Sequence, residues 1–233
     1  MKWFFSGLID LLYPPICISC ENRMAEEEVI CESCLSELEP TNMGNWVTNV
    51  TNHEFLDCTY SGWYFDDIFQ QMIHEMKYQE SRMVAQIFGH NLGIVLKEEL
   101  SGLCIDAVIP VPLHSARLRE RGFNQSALLG RAISDEIEVV CSEDILFRKR
   151  NTVSQTKLSA EERKQNMSSA FFAKDIGDYN RFLLIDDILT TGSTLSACAE
   201  ALKSNGADFV GAVTAGTPLP SNASIKEIQN VEA

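Results

Sequence analysis

Positive charge is scarce in this chain. With 33 Asp and Glu residues against 19 Lys and Arg residues, its formal net charge is −14 at pH 7. This balance argues against a protein that holds nucleic acid chiefly through its overall field, and it leaves room only for a local basic patch. Long apolar runs are also absent, since none approaches the length of about 18 residues that indicates a membrane-spanning helix.

The N-terminus lacks the marks of a secretion signal. Its apolar run, MKWFFSGLIDLLYPP, is interrupted by Asp10, and no small-residue cleavage site follows. We therefore predict a short amphipathic helix at this end of the chain and a cytoplasmic protein.

Two common nucleotide-binding signatures are missing, and a different one is present. The chain contains neither G-x-x-x-x-G-K-[ST] nor G-x-G-x-x-G, which excludes a Walker loop and the dinucleotide fingerprint. Residues 182–194 instead read FLLIDDILTTGST. The four apolar residues predict a short buried strand of a parallel sheet. Asp186 and Asp187 follow at its carboxyl end, where open α/β sheets bind ligands.

A small, hydroxyl-rich loop comes next and leads into a predicted helix that ends near Gly206. Unpaired N–H groups, hydroxyls and the positive end of the helix dipole together favour phosphate binding in residues 190–194. The two carboxylates would suit sugar hydroxyls or a divalent cation. The alternative interpretation is an ordinary strand followed by an acidic turn and a capped helix.

Four of the eight cysteines form the pattern C-x2-C-x10-C-x2-C, and the other four are scattered singly. Two CxxC pairs at this spacing predict a tetrahedral four-sulfur site that prefers zinc, with the metal supplying the folding free energy of a very small module. The predicted ligands are Cys17, Cys20, Cys31 and Cys34. Redox-active pairs or two disulfides are the alternative.

The length of 233 residues fits one α/β domain with a small extra module. We predict a module over residues 1–45, a domain over 46–218 and a flexible tail over 219–233. Residues 55–65 predict one or two antiparallel strands, and Asp66 is expected to cap a helix over 67–77. Residues 145–173 begin and end as strands around a long polar excursion.

Three arginines alternate in the stretch RLRERGFNQ, before a helix that Asn124 or Ser126 can start. Guanidinium groups directed to one side would suit a diphosphate, because each forms paired bonds to phosphate oxygens. A solvated loop is the equally simple interpretation.

Several motifs occur together and in order along the chain: CxxC…CxxC, KY at 77–78, IPVPL, RLRERGFNQ, QxxLS, ERxxN and LLIDDILTTGST. The last resembles the phosphoribosyl diphosphate (PRPP) motif of type I phosphoribosyltransferases. The whole set resembles the ComF/GntX family, which joins a zinc ribbon to a type I phosphoribosyltransferase domain. The resemblance implies a parallel sheet with flanking helices after the ribbon.

The resemblance also implies roles for individual residues. Asp186 and Asp187 would hold the ribose hydroxyls or Mg²⁺ at the catalytic centre, and residues 114–165 would form a mobile cover. The substrate-binding residues implied are Lys77, Arg117, Arg119, Arg121, Thr190, Thr191, Gly192, Ser193 and Thr194.

Two hypotheses of function follow from this resemblance. The first is a phosphoribosyltransferase with an unidentified acceptor, acting in natural competence and DNA uptake. The second is a non-catalytic, PRPP-responsive adaptor, or a protein associated with single-stranded DNA, that uses the ribbon as a surface for competence partners. The sequence does not identify a general base. His74 and His114 are candidates by proximity only.

Overall fold

The computed structural model describes residues 15–24, 29–42, 44–45, 47, 50, 52–78, 82–149 and 170–219. The predicted N-terminal helix, the QxxLS and ERxxN motifs, and all but the first residue of the predicted tail lie outside these ranges. The described strands are β1 (Cys58–Tyr64), β2 (Ala107–Pro110), β3 (Val140–Cys141), β4 (Leu146–Arg148), β5 (Phe171–Ala173), β6 (Arg181–Ile188) and β7 (Phe209–Thr217). The described helices are α1 (Glu32–Ser36), α2 (Asp67–Tyr78), α3 (Arg82–Ser101), α4 (Ser115–Arg121), α5 (Gln125–Ile137) and α6 (Ser193–Lys203).

Five of these strands form one sheet in the order β1-β7-β6-β2-β3, and every neighbouring pair runs parallel. The predicted apolar strand is β6, at the centre of the sheet. Its residues alternate between two cores, with Leu183 and Ile185 on one face and Phe182 and Leu184 on the other. This burial on both faces explains why its sequence is an unbroken apolar run.

The two faces of the sheet are covered differently. Side chains of α2, α3 and α5 pack with Leu183 and Ile185, whereas α6 and the antiparallel β4–β5 hairpin pack with Phe182 and Leu184. The sheet with flanking helices confirms the predicted fold class. None of the helices in the described ranges is both long and apolar enough to span a membrane.

The prediction of antiparallel strands over residues 55–65 is wrong. Strand β1 pairs in parallel with β7, in a register that sets Cys58 opposite Gly211. All but the last residue of β1 is buried, so its aromatic side chains do not mark a half-exposed hairpin. The antiparallel partner at its outer edge is a short connecting segment, in which Thr41 N–H donates to the Gly62 carbonyl at 2.8 Å.

Helix starts follow the capping signals in the sequence. The Asp66 carboxylate accepts the Phe69 N–H at 2.7 Å and opens α2, and the Asn124 side chain accepts the Ser126 N–H at 3.2 Å and opens α5. Helices α3 and α5 lie against each other at Gly89, where an added Cβ would come within 2.5 Å of Ala132 Cβ.

The arginine-rich stretch is a short helix rather than a loop. Helix α4 covers residues 115–121, its first turn is capped by His114 Nδ1, which accepts the Ala116 N–H at 3.2 Å, and it ends at Gly122 with φ of 75°. No residue of α4 is buried. The helix therefore presents all of its side chains at the surface, beside the carboxyl end of β2.

The cysteine-rich module is not separate from the α/β domain. Cys17, Cys34 and Leu38 are buried in the same apolar cluster as Trp63 and Phe69. The chain between the module and the domain also lies along β1, where Tyr64 N–H donates to the Glu39 carbonyl at 2.8 Å. The module and the sheet share one core, so folding of one contributes to the stability of the other.

Candidate functional site

The two adjacent carboxylates lie at the carboxyl end of β6 and are partly exposed. Because side chains alternate along a strand, Asp186 and Asp187 point to opposite faces. Asp187 meets Lys77 at the end of α2, with 2.7 Å between Oδ2 and Nζ. Asp186 Oδ1 accepts the Ser126 hydroxyl at 3.0 Å and the Asp187 N–H at 2.9 Å. Side chains of α2 and α5 thus contact the two carboxylates at the carboxyl end of β6.

Burial and the neighbouring Asp187 charge together raise the pKa of Asp186 to about 7. The two hydrogen bonds to Oδ1 and the charge of Lys77 act the other way but do not cancel these effects. A cation or a set of hydroxyl donors would favour the ionised form of Asp186. The pair is therefore poised to accept such a ligand.

The loop before α6 forms the second part of the site. Gly192 is the N-cap of α6 in the left-handed region, with φ of 73°, and no side chain caps the helix among the described residues. Thr191 Oγ1 and Ser193 Oγ lie 2.9 Å apart. An uncapped helix N-terminus surrounded by hydroxyls has N–H groups available for an anion.

A segment that sequence reasoning treated as a plain connection supports this loop. Asn52 Nδ2 donates to Ser193 Oγ at 2.8 Å, and Asn52 N–H donates to the Thr191 carbonyl at 3.1 Å. A Cβ added at Gly192 would lie 2.0 Å from Val50 Cγ1. Gly192 is thus required by packing as well as by its backbone conformation. No signal in the sequence links residues 50–52 to a loop about 140 positions further on.

The predicted arginines do not all point the same way. Residues of a helix are about 100° apart, so Arg119 lies about 200° from Arg117 on α4, whereas Arg121 returns to within about 40° of it. Alternating residues share one side in an extended strand, but they do not in a helix. The structure therefore keeps Arg117 and Arg121 on one side and separates Arg119 from them.

Sequence reasoning missed Ser126 and Arg148. Ser126 directly follows the GFNQ stretch, and the sequence indicates it only as a possible helix start, although its hydroxyl contacts Asp186. Arg148 ends β4. Burial lowers its pKa, the charge of Arg117 lowers it further, and the charge of Asp186 raises it. The sequence carries one signal for Arg148: a positively charged residue stands at a strand position where the alternation of side chains predicts a buried one.

The four predicted cysteine ligands come together. Their sulfur atoms all lie within 4.8 Å of one another, and Cys20 Sγ is 3.8 Å from Cys31 Sγ. A tetrahedron with Zn–S bonds of about 2.3 Å has edges of about 3.8 Å, so the donor set fits a zinc ion. For Cys17, burial opposes ionisation, but hydrogen bonds from the backbone of Cys20, Cys31 and Ser19 outweigh it and lower the pKa to about 6.

Comparisons with known proteins agree with both parts of the molecule. Residues 8–44 match the double zinc ribbon domain, and residues 124–228 match the phosphoribosyl transferase domain. The DNA utilization protein YhgH of Escherichia coli K12 is 28% identical over 198 residues, which cover 84% of this chain and 81% of that protein. The competence protein ComFC of Bacillus subtilis is 22% identical over 224 residues, which cover 82% and 90%.

Competence protein F of Haemophilus influenzae is 37% identical over 108 residues, which cover 45% of this chain. The chain is a homologue of the ComF competence proteins. This finding confirms the resemblance to the ComF/GntX family, and the N-terminal module is a zinc ribbon with a single set of four cysteines. The match spans 47% of the length of Competence protein F.

Solved structures resemble the α/β domain of this ComF homologue only distantly. The glutamine PRPP amidotransferase of Bacillus subtilis is 19% identical, with a TM-score of 0.42 over 61% of this chain and 30% of that one. A hypoxanthine phosphoribosyltransferase of Staphylococcus aureus is 18% identical, with a TM-score of 0.35 over 59% and 73%.

Proposed function

We propose that this ComF homologue binds PRPP at the carboxyl end of β6. One observation carries the proposal: a carboxylate pair and an uncapped, hydroxyl-rich helix N-terminus stand at the two ends of one short turn, between residues 186 and 194. Carboxylates suit the ribose hydroxyls, and the helix N-terminus suits the 5′-phosphate. A ligand that carries both groups on one sugar matches this arrangement.

Different residues of the site bind different groups of the ligand. Asp186 and Asp187 accept the ribose hydroxyls, and Thr190 to Thr194 bind the 5′-phosphate through N–H groups and hydroxyls. The carboxylate oxygens are also donors that Mg²⁺ prefers, and Mg²⁺ bound with PRPP would neutralise charge on the diphosphate. Lys77, which pairs with Asp187 at 2.7 Å, is close enough to change partner and contact that diphosphate.

In the catalytic form of the proposal, the domain is a phosphoribosyltransferase with a nitrogen acceptor. The bond between the anomeric carbon and the diphosphate oxygen breaks, a bond to the acceptor nitrogen forms, and the nitrogen releases a proton to a base or to water. The residues here orient the ribose and stabilise negative charge on the leaving diphosphate. His114 Nδ1 is engaged as the cap of α4, which leaves that atom unavailable as a base.

The zinc ribbon has a structural role in this proposal. Its four thiolates would bind one zinc ion with no open position, and its apolar residues continue the core of the α/β domain. The homologues are competence proteins and DNA utilization proteins, and these names support a role in the uptake or use of DNA. In the non-catalytic form, PRPP occupancy would regulate that role through partner proteins.

Calorimetric titration with PRPP and Mg²⁺ tests the proposal. We expect the native chain to bind PRPP and the double variant Asp186→Ala/Asp187→Ala to bind roughly tenfold more weakly or worse, because two charge-assisted contacts are lost. The matched control is Asp178→Ala, an exposed carboxylate on a surface turn. Gly192→Val is unsuitable as a binding variant, since its side chain would collide with Val50.

Circular dichroism of each variant ensures that folded proteins are compared. If the folded double variant binds PRPP as tightly as the native chain, this turn is only a strand and a helix start. Release of diphosphate when candidate nitrogen acceptors are added then separates the enzyme from the adaptor. Binding of PRPP without release across purine, pyrimidine and amine acceptors favours the adaptor.

A further inference from the structure

The loop before α6 is contacted by an amide side chain from the segment between the ribbon and β1. Asn52 Nδ2 lies 2.8 Å from Ser193 Oγ and 3.4 Å from the Thr191 carbonyl oxygen. A carbonyl oxygen only accepts hydrogen bonds, so its neighbour in Asn52 must be the amide nitrogen rather than the amide oxygen. Asn52 is therefore a donor to the Ser193 hydroxyl.

The backbone of the same segment fixes the position of this amide. Asn52 N–H donates to the Thr191 carbonyl at 3.1 Å, so the main chain and the side chain of Asn52 reach the same loop. Val50 is buried, and a side chain at Gly192 would collide with it. Asn52 is thus held against the loop by packing on one side and by a backbone hydrogen bond on the other.

The donation from Asn52 limits how the two hydroxyl protons of the loop can be arranged. Thr191 Oγ1 and Ser193 Oγ lie 2.9 Å apart, so one of their two protons occupies the bond between them. The amide nitrogen cannot accept the other proton. Within the described ranges no further acceptor contacts either hydroxyl. One hydroxyl proton is therefore available to a ligand, whichever of the two residues carries it.

We propose that Asn52 is a positioning residue, which orients the Thr191–Ser193 hydroxyl pair so that the pair donates to the 5′-phosphate of PRPP. The inference rests on the proposed function and adds the segment between the ribbon and the sheet to the phosphate site. Phosphate oxygens are acceptors, and hydrogen bonds to a charged acceptor are the strong ones. Thr191 is exposed, so the pair is accessible to such a ligand.

Asn52→Asp would reverse the proton arrangement with almost no change of shape. A carboxylate only accepts, so the Ser193 hydroxyl would donate to it, the Thr191 hydroxyl would donate to Ser193, and no proton would remain for the phosphate. Asn52→Ala removes the amide donor without this reversal. Both variants are titrated calorimetrically with PRPP and Mg²⁺ at pH 8, as full chains with zinc bound. We expect Asn52→Ala to bind about threefold to tenfold more weakly than the native chain, and Asn52→Asp about tenfold more weakly still.

Thermal unfolding without ligand separates positioning from a merely structural role. The carboxylate of Asn52→Asp can still bond to the Ser193 hydroxyl, so this variant should be at least as stable as Asn52→Ala. We therefore expect opposite orders, with Asn52→Asp equal or higher in thermal midpoint and lower in affinity for PRPP. If affinity follows the thermal midpoint across the native chain and both variants, Asn52 only anchors the loop and the inference is overturned.

Asn45→Asp is the matched control for the added negative charge. Asn45 belongs to the same segment, and its Oδ1 accepts the Thr59 N–H at 2.9 Å and the Val47 N–H at 3.0 Å. A carboxylate keeps both of these bonds, so the variant adds charge without removing a contact. We expect its affinity for PRPP to change less than about twofold. A loss equal to that of Asn52→Asp would overturn the inference in favour of a general charge effect.

The Ser193→Ala background tests whether the hydroxyl pair transmits the effect. It removes the hydroxyl between Asn52 and Thr191 but keeps any charge placed at position 52. In this background we expect Asn52→Asp and Asn52→Ala to bind PRPP within about threefold of each other. A difference as large as the one without Ser193→Ala would mean that the carboxylate repels the ligand directly, and the inference falls.

The outcomes separate this inference from the function on which it rests. If the native chain does not bind PRPP, both are overturned. If the native chain binds PRPP and both folded Asn52 variants bind it equally well, the inference alone is overturned. Where Asn52→Asp does not fold, Asn52→Ala and Ser193→Ala decide. Their losses should overlap when combined, and losses that add would contradict the inference.

Discussion

The sulfur cluster of the ribbon and the carboxylate pair of the sheet are both crowded with groups that carry negative charge when ionised. The ribbon closes its cluster from residues 17–34, with four sulfurs within 4.8 Å of one another. The carboxylate pair instead gathers side chains from α2, α5 and β6, with a hydrogen bond that joins Ser126 to Asp186. The first cluster depends on local spacing and a metal, and the second on the topology of the whole domain.

Both clusters are electrostatically unfavourable until a positive partner arrives. Burial raises the pKa of Cys34 to about 12, and the neighbouring cysteine sulfurs act in the same direction. Burial likewise raises the pKa of Asp186, next to Asp187. In the sheet Lys77 already pairs with one carboxylate, whereas the positive partner expected for the sulfur cluster is the metal ion itself. The comparison predicts that loss of the positive partner damages the ribbon more than the sheet.

The largest effect is therefore expected for loss of the ribbon metal. Purified without added metal, the native chain should carry one zinc by elemental analysis, and Cys20→Ser should carry none. Structural zinc contributes about 10–16 kcal/mol of apparent binding free energy in small zinc modules, so the ribbon should unfold without it. Because the module shares a core with Trp63, we expect the thermal midpoint of the whole chain to fall as well.

Cys104→Ser is the control for the metal prediction, since Cys104 is an exposed single cysteine in the turn after α3. It should keep both the zinc and the thermal midpoint. A folded ribbon in zinc-free protein, or disulfides among the four cysteines in a reduced preparation, would contradict a metal site. Retained PRPP binding in Cys20→Ser would show that the two clusters work independently.

A smaller effect, opposite in sign, is expected from the carboxylate pair as the pH changes. The pKa of Asp186 rises from its ordinary 3.8 to about 7 on folding. Between these values the folded chain binds more protons than the unfolded chain, so the stability that Asp186 contributes is complete below pH 4 and is lost as the pH approaches 7. Ribbon stability should instead increase with pH, because zinc binds deprotonated thiols.

Asp186→Asn isolates this titration, because the amide keeps an acceptor for the Ser126 hydroxyl and cannot ionise. Denaturant unfolding should show Asp186→Asn as stable as the native chain at pH 4 and more stable at pH 8. The expected gain is at least about 1.4 kcal/mol, the equivalent of one pKa unit. Asp178→Asn, on an exposed turn, should show no such difference. A native chain and Asp186→Asn that respond identically to pH would contradict the raised pKa.

The contrast between a local motif and a site built by the topology also decides which features the sequence could predict. The four-cysteine cluster and the strand, turn and helix of residues 181–203 come from contiguous motifs, whose residue patterns predict them. The parallel pairing of β1 could not be predicted, because burial of both faces of an edge strand depends on neighbours far along the chain. The support of the loop before α6 by Asn52 and the position of Arg148 depend on the same long-range packing.

The smallest effect separates two arginines that the sequence could not distinguish. Arg117 and Arg119 are both exposed on α4, about 200° apart around its axis, and burial and the charge of Arg117 both lower the pKa of Arg148. We expect Arg117→Gln to weaken PRPP binding about threefold to tenfold, because it loses a charged contact that solvent partly screens. Arg119→Gln removes the same charge from the same helix and should change binding less than about twofold, because Arg119 lies on a different side of α4 from Arg117. Calorimetric titration of both variants, repeated at higher salt, makes the comparison.

Equal losses that vanish together in salt would mean that α4 attracts PRPP only through its net charge. A difference that persists in salt would instead indicate a direct contact between Arg117 and the ligand.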